Sequence, residues 1–293
     1  MAAINLPKGL EVPLLGGIRG AFLMLFEHPF DSIKTQWQSA AAEGRCFNAL
    51  GIVRDIYSQK GISGFYRGYV PNIVRVTMKN IYRWPMMIFL PSFYQNKIPS
   101  SLAEHYPGLP KVLVGLTIAN LETFVVCPLE RLKIWNMTTG ENKRHSLLGN
   151  FFRESRSKVL FELFRGYQAQ LWRLNVSWIS FLYSDFKFKE MFRAKQGGGE
   201  LSSSDLVKIS ISVGIINCFM VLPFDCVKTN MQKQDFVHTK GVLRTMAELY
   251  TKGGMPTLYA GWQFRIVQYL VHSLFTVSML ENLERKHSFK KHQ

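Results

Sequence analysis

The 293-residue sequence predicts an all-α chain made of three copies of one unit, each an apolar helix, a polar stretch and a second apolar helix. Three observations predict it. PFDSIK (29–34) returns as PLERLK (128–133) and PFDCVK (223–228), spaced by 99 and 95 residues, always as proline, any residue, acid, two residues, lysine. An aromatic residue and a glycine close each copy, as YRG (66–68), FRG (164–166) and YAG (259–261), with the glycines 39, 38 and 38 residues beyond the prolines. Thirteen residues before each proline stand Gly16, Gly115 and Ser210, followed four residues later by Gly20, Ala119 and Gly214. Small residues at that spacing let helix backbones approach closely.

The elements follow in order. The apolar run 14–26, interrupted by Arg19 and glycines, leads into Pro29. A proline removes a helix hydrogen bond, so Pro29, Pro128 and Pro223 are expected to kink the first helix of each copy. Asp31 and Lys34, three residues apart, share one helical face. The connections ALGIVRDIYSQKGISGFYRG and GVLRTMAELYTKGGMPTLYAG read as a short amphipathic helix, a glycine turn and a new helix start. A second apolar segment follows each. Two linkers separate the copies: one near 97–110 with three prolines, and KQGGGELSSSD (195–205). The expected units are 1–104, 105–200 and 201–293.

Apolar residues make up 47% of the chain and mean hydropathy is +0.01, so the sequence is neither disordered nor uniformly apolar. No uninterrupted apolar stretch reaches the length of a simple transmembrane helix. Hydropathy therefore leaves two readings open: core helices of a soluble protein, or membrane helices with one face on lipid and one on water. A net charge of +16 calls for an anionic partner. The basic residues spread over all three copies rather than over one face, which argues against a nucleic-acid partner and fits basic loops on one side of a membrane. Cys46, Cys127, Cys218 and Cys226 lack metal-ligand spacing, and neither a metal nor a disulfide framework is expected. No phosphate loop or persuasive nucleophile–base set suggests an enzyme. The start, MAAINLPKGLEVP, has neither a signal-peptide core nor an arginine-rich presequence, so any membrane address is expected to be internal.

Three copies of proline-x-acid-x-x-base, each followed by the aromatic–glycine element, resemble the mitochondrial carrier family over almost the whole chain. The resemblance implies an all-α membrane protein of the mitochondrial inner membrane, with six transmembrane helices in three pseudo-threefold repeats and short helices on the matrix side. It implies a functional monomer that alternates between cytoplasmic-open and matrix-open states. It also gives the repeated charges a purpose, because acids and lysines at membrane depth are costly unless paired or facing water. The implied matrix gate pairs Asp31 with Lys133, Glu130 with Lys228 and Asp225 with Lys34. Gln36 matches the family's brace position on that gate; Trp135 and Asn230, at the equivalent positions, do not. A second network on the even helices looks weak, with Ile88, Phe186 and Glu281 at its acid positions, Glu284 where a base is expected and Asp185 one place early.

The resemblance further implies that cardiolipin is held at the loop segments, by Arg67 and Gly68, Arg165 and Gly166, and Gly261. Ala260 replaces the usual base in the third. No other cofactor is implied. Substrate contacts are implied at Arg75, with Val76, at Arg173 and Leu174, and at Gln268 and Tyr269. Lys79 lies one turn past Arg75, and Arg265 and His272 complete a basic ring. Arginine offers a planar fork for carboxylate or phosphate, so a small anion is expected. Di- or tricarboxylate, phosphate and nucleotide stay open, since Tyr269 or Trp172 would suit stacking on a base. So does a carrier-fold protein without transport. Arg19 and Glu122, inside odd helices, read either as a plain charge pair or as selectivity or proton-coupling residues.

Overall fold

A computed structural model describes residues 8–45, 48–99, 109–138, 149, 151–152, 158–195, 201–233 and 241–271. The described residues are mostly helical and contain no strand. Helix α1 runs Lys8–Ala42, α2 Ala49–Lys60, then a 3-10 segment Gly61–Tyr66, α3 Tyr69–Lys97, α4 Leu109–Thr138, α5 Val159–Leu163, α6 Tyr167–Lys195, α7 Ser203–Met231 and α8 Val242–Leu258. Residues 262–271 form a further helix, α9. The expected amphipathic helix, glycine turn and helix start appear twice. Asn48 caps α2 by accepting from the Gly51 N–H at 2.7 Å, and Gly61 ends it in a left-handed conformation. α8 breaks at Gly253 and Gly254 before the chain turns at Gly261 into α9.

The long helices pack in chain order around a ring: α1 on α3, α3 on α4, α4 on α6, α6 on α7, and α1 back against α7 and α8. α9 closes the circle. Its Phe264 meets Trp37 of α1 edge-on at 6.1 Å, and its Trp262 meets Phe219 of α7 at 6.1 Å. Helix α4 and residues Ser204–Met231 of α7 are long and apolar enough to cross a membrane. α1, at 35 residues, is longer than α4's 30, and α3 and α6, at 29 each, nearly equal it, but all three are less apolar. At 1.5 Å per residue each exceeds the roughly 30 Å hydrocarbon layer.

The distribution of polarity separates the two readings that hydropathy left open. Buried positions include Asp31, Lys34, Gln38, Glu122, Glu130, Lys133, Asp225, Lys228 and Gln232, whereas Phe22, Phe26, Phe89, Phe124 and Met220 lie on the outside. A soluble fold hides such aromatics and exposes such charges. A polar interior within an apolar rim favours helices whose outer faces meet lipid.

Close helix approach through small residues is realised unevenly. A methyl group on Gly115 would lie 2.8 Å from Leu182 Cδ1, so α6 packs directly on that glycine, and Ala119 is fully buried. Gly214 has open space beside it, so the third copy's small residue serves no such contact. At the proline end, apolar clusters seal the ring. Ile33, Trp37, Ile52, Ile56 and Ala260 form one; Cys226, Val227, Val242, Leu249 and Leu258 form another. Beyond the end of α1, Glu43 accepts from Lys233 at 3.0 Å and from Arg45 at 2.7 Å. Partial burial pushes its carboxyl up, but those two bases hold it below its usual value. The link is therefore present at neutral pH and is lost as pH falls through that lowered range.

The turn glycines mark where copies meet. Gly68, Gly166 and Gly261 all have left-handed backbones. A methyl group on Gly68 would lie 2.9 Å from the Lys133 carbonyl oxygen, one on Gly166 2.6 Å from Gln232 Cγ, and one on Gly261 2.8 Å from Lys34 Cγ. Each glycine thus receives the odd helix of another copy. Gly261→Ala is expected to cost about 1–2 kcal/mol from the left-handed backbone alone, with the clash in addition. Thermal unfolding of the purified chain should show a lower midpoint, while Gly214→Ala leaves it unchanged or slightly raised.

Candidate functional site

The site begins with the three proline motifs, which lie inside continuous helices. α4 and α7 run on through Pro128 and Pro223, and α1 through Pro29. The acid and base that follow each proline turn into the ring. Lys34 Nζ donates to Asp225 Oδ2 at 2.5 Å, Lys228 Nζ to Glu130 Oε2 at 2.7 Å, and Lys133 Nζ to Asp31 Oδ2. Every pair joins different copies of the motif, and all six side chains are at most 6% exposed. Weaker contacts within copies, Lys34–Asp31 at 3.5 Å and Lys228–Asp225 at 3.8 Å, connect the pairs into one buried chain of alternating charge.

Around this chain the structure adds polar contacts across the ring. Thr229 donates to Gln38 Oε1 at 2.8 Å, and the Asn230 amide donates to the Gln38 carbonyl oxygen at 3.4 Å. Arg131, 2% exposed, donates to the Gln232 carbonyl oxygen at 2.7 Å. Gln36 sits differently from the brace expectation. It is half-buried and donates to Ser32 Oγ at 3.0 Å, one turn back on its own helix. Gln38, two residues on and on another face, is the glutamine that spans copies.

Next to the motif acids come arginines of α3, α6 and α9. Arg75 Nε lies 3.2 Å from Glu130 Oε1, and Arg173 Nε 3.6 Å from Asp225 Oδ1. Arg75 donates twice to Asn72 Oδ1, at 2.9 and 2.7 Å, and Arg173 donates to Gln170 Oε1 at 3.4 Å. In the third copy the order reverses. Arg265 stands where Asn72 and Gln170 stand, and donates to Gln268 Oε1 at 3.2 Å. It also lies over the Tyr269 ring, 5.0 Å from its centroid, within the field of Asp225 and Asp31. The six motif charges cancel, so these three arginines leave the interior beside them with a positive surplus.

The other expected contacts are less open. Val76 and Leu174 are buried, at 8% and 7% exposure. Tyr269 is occupied by Arg265 and by a hydrogen bond from Asn217 at 3.2 Å. Trp172 stacks flat on Phe224 with ring centroids 6.2 Å apart. Lys79 and Arg83 each come 4.0 Å from Glu122, which is 3% exposed. Asp185 pairs along its own helix with Lys189 at 2.7 Å, while Ile88 and Phe186 are exposed. His272, Glu281 and Glu284 lie outside the described residues, as does the side chain of Arg19.

Among the loop residues, Arg165 is buried at 8% exposure and lies 3.4 Å from Glu162, which it shares with Arg131. Its guanidinium is therefore directed inward rather than presented at the surface. Arg67 is half-buried. Its carbonyl oxygen receives the Nε2 of the fully buried His28 at 3.0 Å, while His28 Nδ1 meets the Asn72 amide at 2.9 Å. With Asn72 donating, Nδ1 is the acceptor and Nε2 carries the proton. His28 and Asn72 thus connect the first loop to Arg75 and through it to Glu130. Their position, four residues past the loop glycine for Asn72 and just before the proline for His28, was the signal in the sequence.

The mitochondrial carrier protein family model matches residues 8–97 and 200–291. A helical ring whose buried acids and bases pair between copies of one motif is a carrier-type scaffold, and the chain belongs to the mitochondrial carrier protein family. It is similar to the mitochondrial 2-oxodicarboxylate carrier 1 of Saccharomyces cerevisiae, 23% identical over 270 residues, covering 86% of each chain. It is similar to the mitochondrial 2-oxodicarboxylate carrier of Bos taurus, 26% identical over 262 residues, covering 85% of this chain and 84% of that one. The mitochondrial magnesium exporter 1 of Drosophila melanogaster is 22% identical over 259 residues, covering 85% of each.

The pairing geometry makes a direct prediction. Reversing one partner leaves two like charges buried, so Lys34→Asp or Asp225→Lys alone should cost about 3–5 kcal/mol. The double exchange restores the attraction and should recover most of that loss in thermal unfolding. A double variant no more stable than the singles would show that the two residues do not act as a pair.

Proposed function

We propose that the chain moves a small dianionic metabolite, a dicarboxylate by preference, across the mitochondrial inner membrane by alternating access and exchange. One observation carries this reading: three surplus arginines, one from each even helix, stand directly above a charge-balanced gate. An anion entering the ring meets three guanidinium groups in excess over the acids, and two of these also lie against gate acids. Capturing Arg75 and Arg173 withdraws cations from Glu130 and Asp225 and so biases the gate toward opening. Differential binding of this kind is what a ligand needs to shift a two-state equilibrium. The names of the yeast and bovine relatives, 2-oxodicarboxylate carriers, support the dicarboxylate choice.

In this reading α1, α3, α4, α6, α7 and the helix that begins at residue 262 span the membrane in three repeats, and the paired charges close the matrix side. The even helices offer no matching pair at Ile88 and Phe186, so the resting carrier favours the cytoplasmic-open state. Cardiolipin binds at the loops through the backbone N–H groups that follow Gly68, Gly166 and Gly261. Arg165 and Ala260 contribute little there, because one is turned inward and the other is uncharged. The carrier works as a monomer, with the path running inside the ring of one chain.

The test is exchange in cardiolipin-containing proteoliposomes, with labelled 2-oxoadipate, malate, citrate, phosphate and ATP offered in turn. Uptake of a dicarboxylate that depends on internal dicarboxylate is the expected result. Lys133→Ala, which leaves Asp31 without its inter-copy partner, should cut the exchange rate by about tenfold or more. Wild-type rates in that variant would remove the gate from the mechanism. Failure of the wild-type protein to move any anion in the panel would leave a structural role for the fold.

A further inference from the structure

The seam between α3 and α4 extends the gate and the arginine ring with three further charges, Lys79, Arg83 and Glu122. On α3, Arg75, Lys79 and Arg83 follow one another at four-residue intervals and so line one face. On α4, which runs antiparallel, Glu130 and Glu122 are also eight residues apart. The two rows are in register: Arg75 meets Glu130 at 3.2 Å, and Glu122 sits between Lys79 and Arg83 at 4.0 Å from each. Eight helical residues span about 12 Å and four about 6 Å.

The outer step is built differently from the gate. Glu122 is 3% exposed, yet its Oε2 has no hydrogen-bond partner, and neither does the buried Nε of Arg83. At 4.0 Å the contacts are ion pairs without hydrogen bonds. The Arg83 guanidinium is held over the Trp178 ring of α6, 4.6 Å from its centroid. Lys79 and Arg83 keep 24% and 29% of their side chains exposed. The buried carboxylate therefore neutralises two accessible cations loosely, and one positive charge is left over.

We propose that Lys79 and Arg83 form an outer anion-binding step, with Glu122 as a tethered counter-ion that the substrate displaces. The proposal rests on the anion-carrier reading and deepens it. A carboxylate or phosphoryl group that takes both cations through direct hydrogen bonds replaces the long contacts to Glu122. A second anionic group on the same molecule then reaches Arg75, and the gate acid behind it. The carrier thus reads length: it selects molecules whose two anionic groups lie about 6–12 Å apart, and Glu122 sets how much charge the outer group must bring.

The experiment measures binding of an α,ω-dicarboxylate series, malonate to suberate, to the full-length chain in detergent, by thermal stabilisation and calorimetry, with inorganic phosphate and pyrophosphate as the phosphoryl arm. Wild type should bind the longer members more tightly than malonate. Glu122→Gln, which keeps the shape and removes the competing charge, should tighten binding about fivefold, the effect of one unit charge some 4 Å away under water-like screening. Arg83→Gln should weaken the long members about tenfold and leave malonate unchanged, flattening the length dependence. Should Arg83→Gln not fold, Glu122→Gln decides alone. Unchanged or weaker binding in Glu122→Gln, with Arg75→Gln still abolishing it, overturns the outer step and leaves the anion carrier standing. If Arg75→Gln too binds like wild type, the carrier reading itself fails.

Discussion

Everything in this fold is arranged around three buried ion pairs whose partners are about 100 or 190 residues apart in the chain. Taking six charges out of water costs several kcal/mol each, and the mutual attraction offsets that only with close contact and extra hydrogen bonds. The structure supplies the close contact and a second cation beside each acid. Asp31, Glu130 and Asp225 each face a lysine from another copy, and a neighbouring cation lies within reach of each. Such pairs are a poor way to gain stability and a good way to store two states, because separating them exposes charges that water or a ligand will accept. The surrounding apolar clusters, Trp37 with Ile52 and Val227 with Leu249, pack the helix ends around these charges.

The pairing itself was legible in the sequence. Proline-x-acid-x-x-base at near-equal spacing fixes which face of each odd helix carries charge, and the family resemblance supplies the direction of pairing around the ring. The short amphipathic helices and their glycine turns were legible for the same reason: they repeat. What did not repeat was legible only as single residues. Lys79 stands out as a basic neighbour of Arg75 and Glu122 as an acid inside a helix, but Arg83 does not, and only the antiparallel register of α3 and α4 brings the three together. Gln36 carried the expected residue type but turns back to Ser32, while Gln38 carries the contact across copies. Helical spacing alone does not choose between them, because the choice depends on where Thr229 of α7 arrives.

Arg165 teaches the complementary lesson. As part of an aromatic–base–glycine element it looks like a surface anchor for an anionic lipid. In the fold, Glu162 from α5, shared with Arg131 of α4, draws it inward into a buried cluster. The glycine beside it has the more decisive task, since only a residue without a side chain admits Gln232 there. The same holds at Gly68 and Gly261, each pressed against the helix that carries a gate lysine. Loop and gate are therefore one mechanical unit at each junction, and a lysine cannot leave its acid without the loop beneath it yielding.

The reversal in the third copy has a stereochemical consequence. Arg75 and Arg173 sit seven residues past their loop glycines, but Arg265 sits four past its own, about 4.5 Å nearer the gate along its helix. Three arginines at one height would form a symmetric triangle, and a molecule rotated by a third of a turn would meet the same field. The staggered set has no such symmetry. It defines three unequal points, so an anion bound among them would have one preferred rotation about the ring axis instead of three equivalent ones.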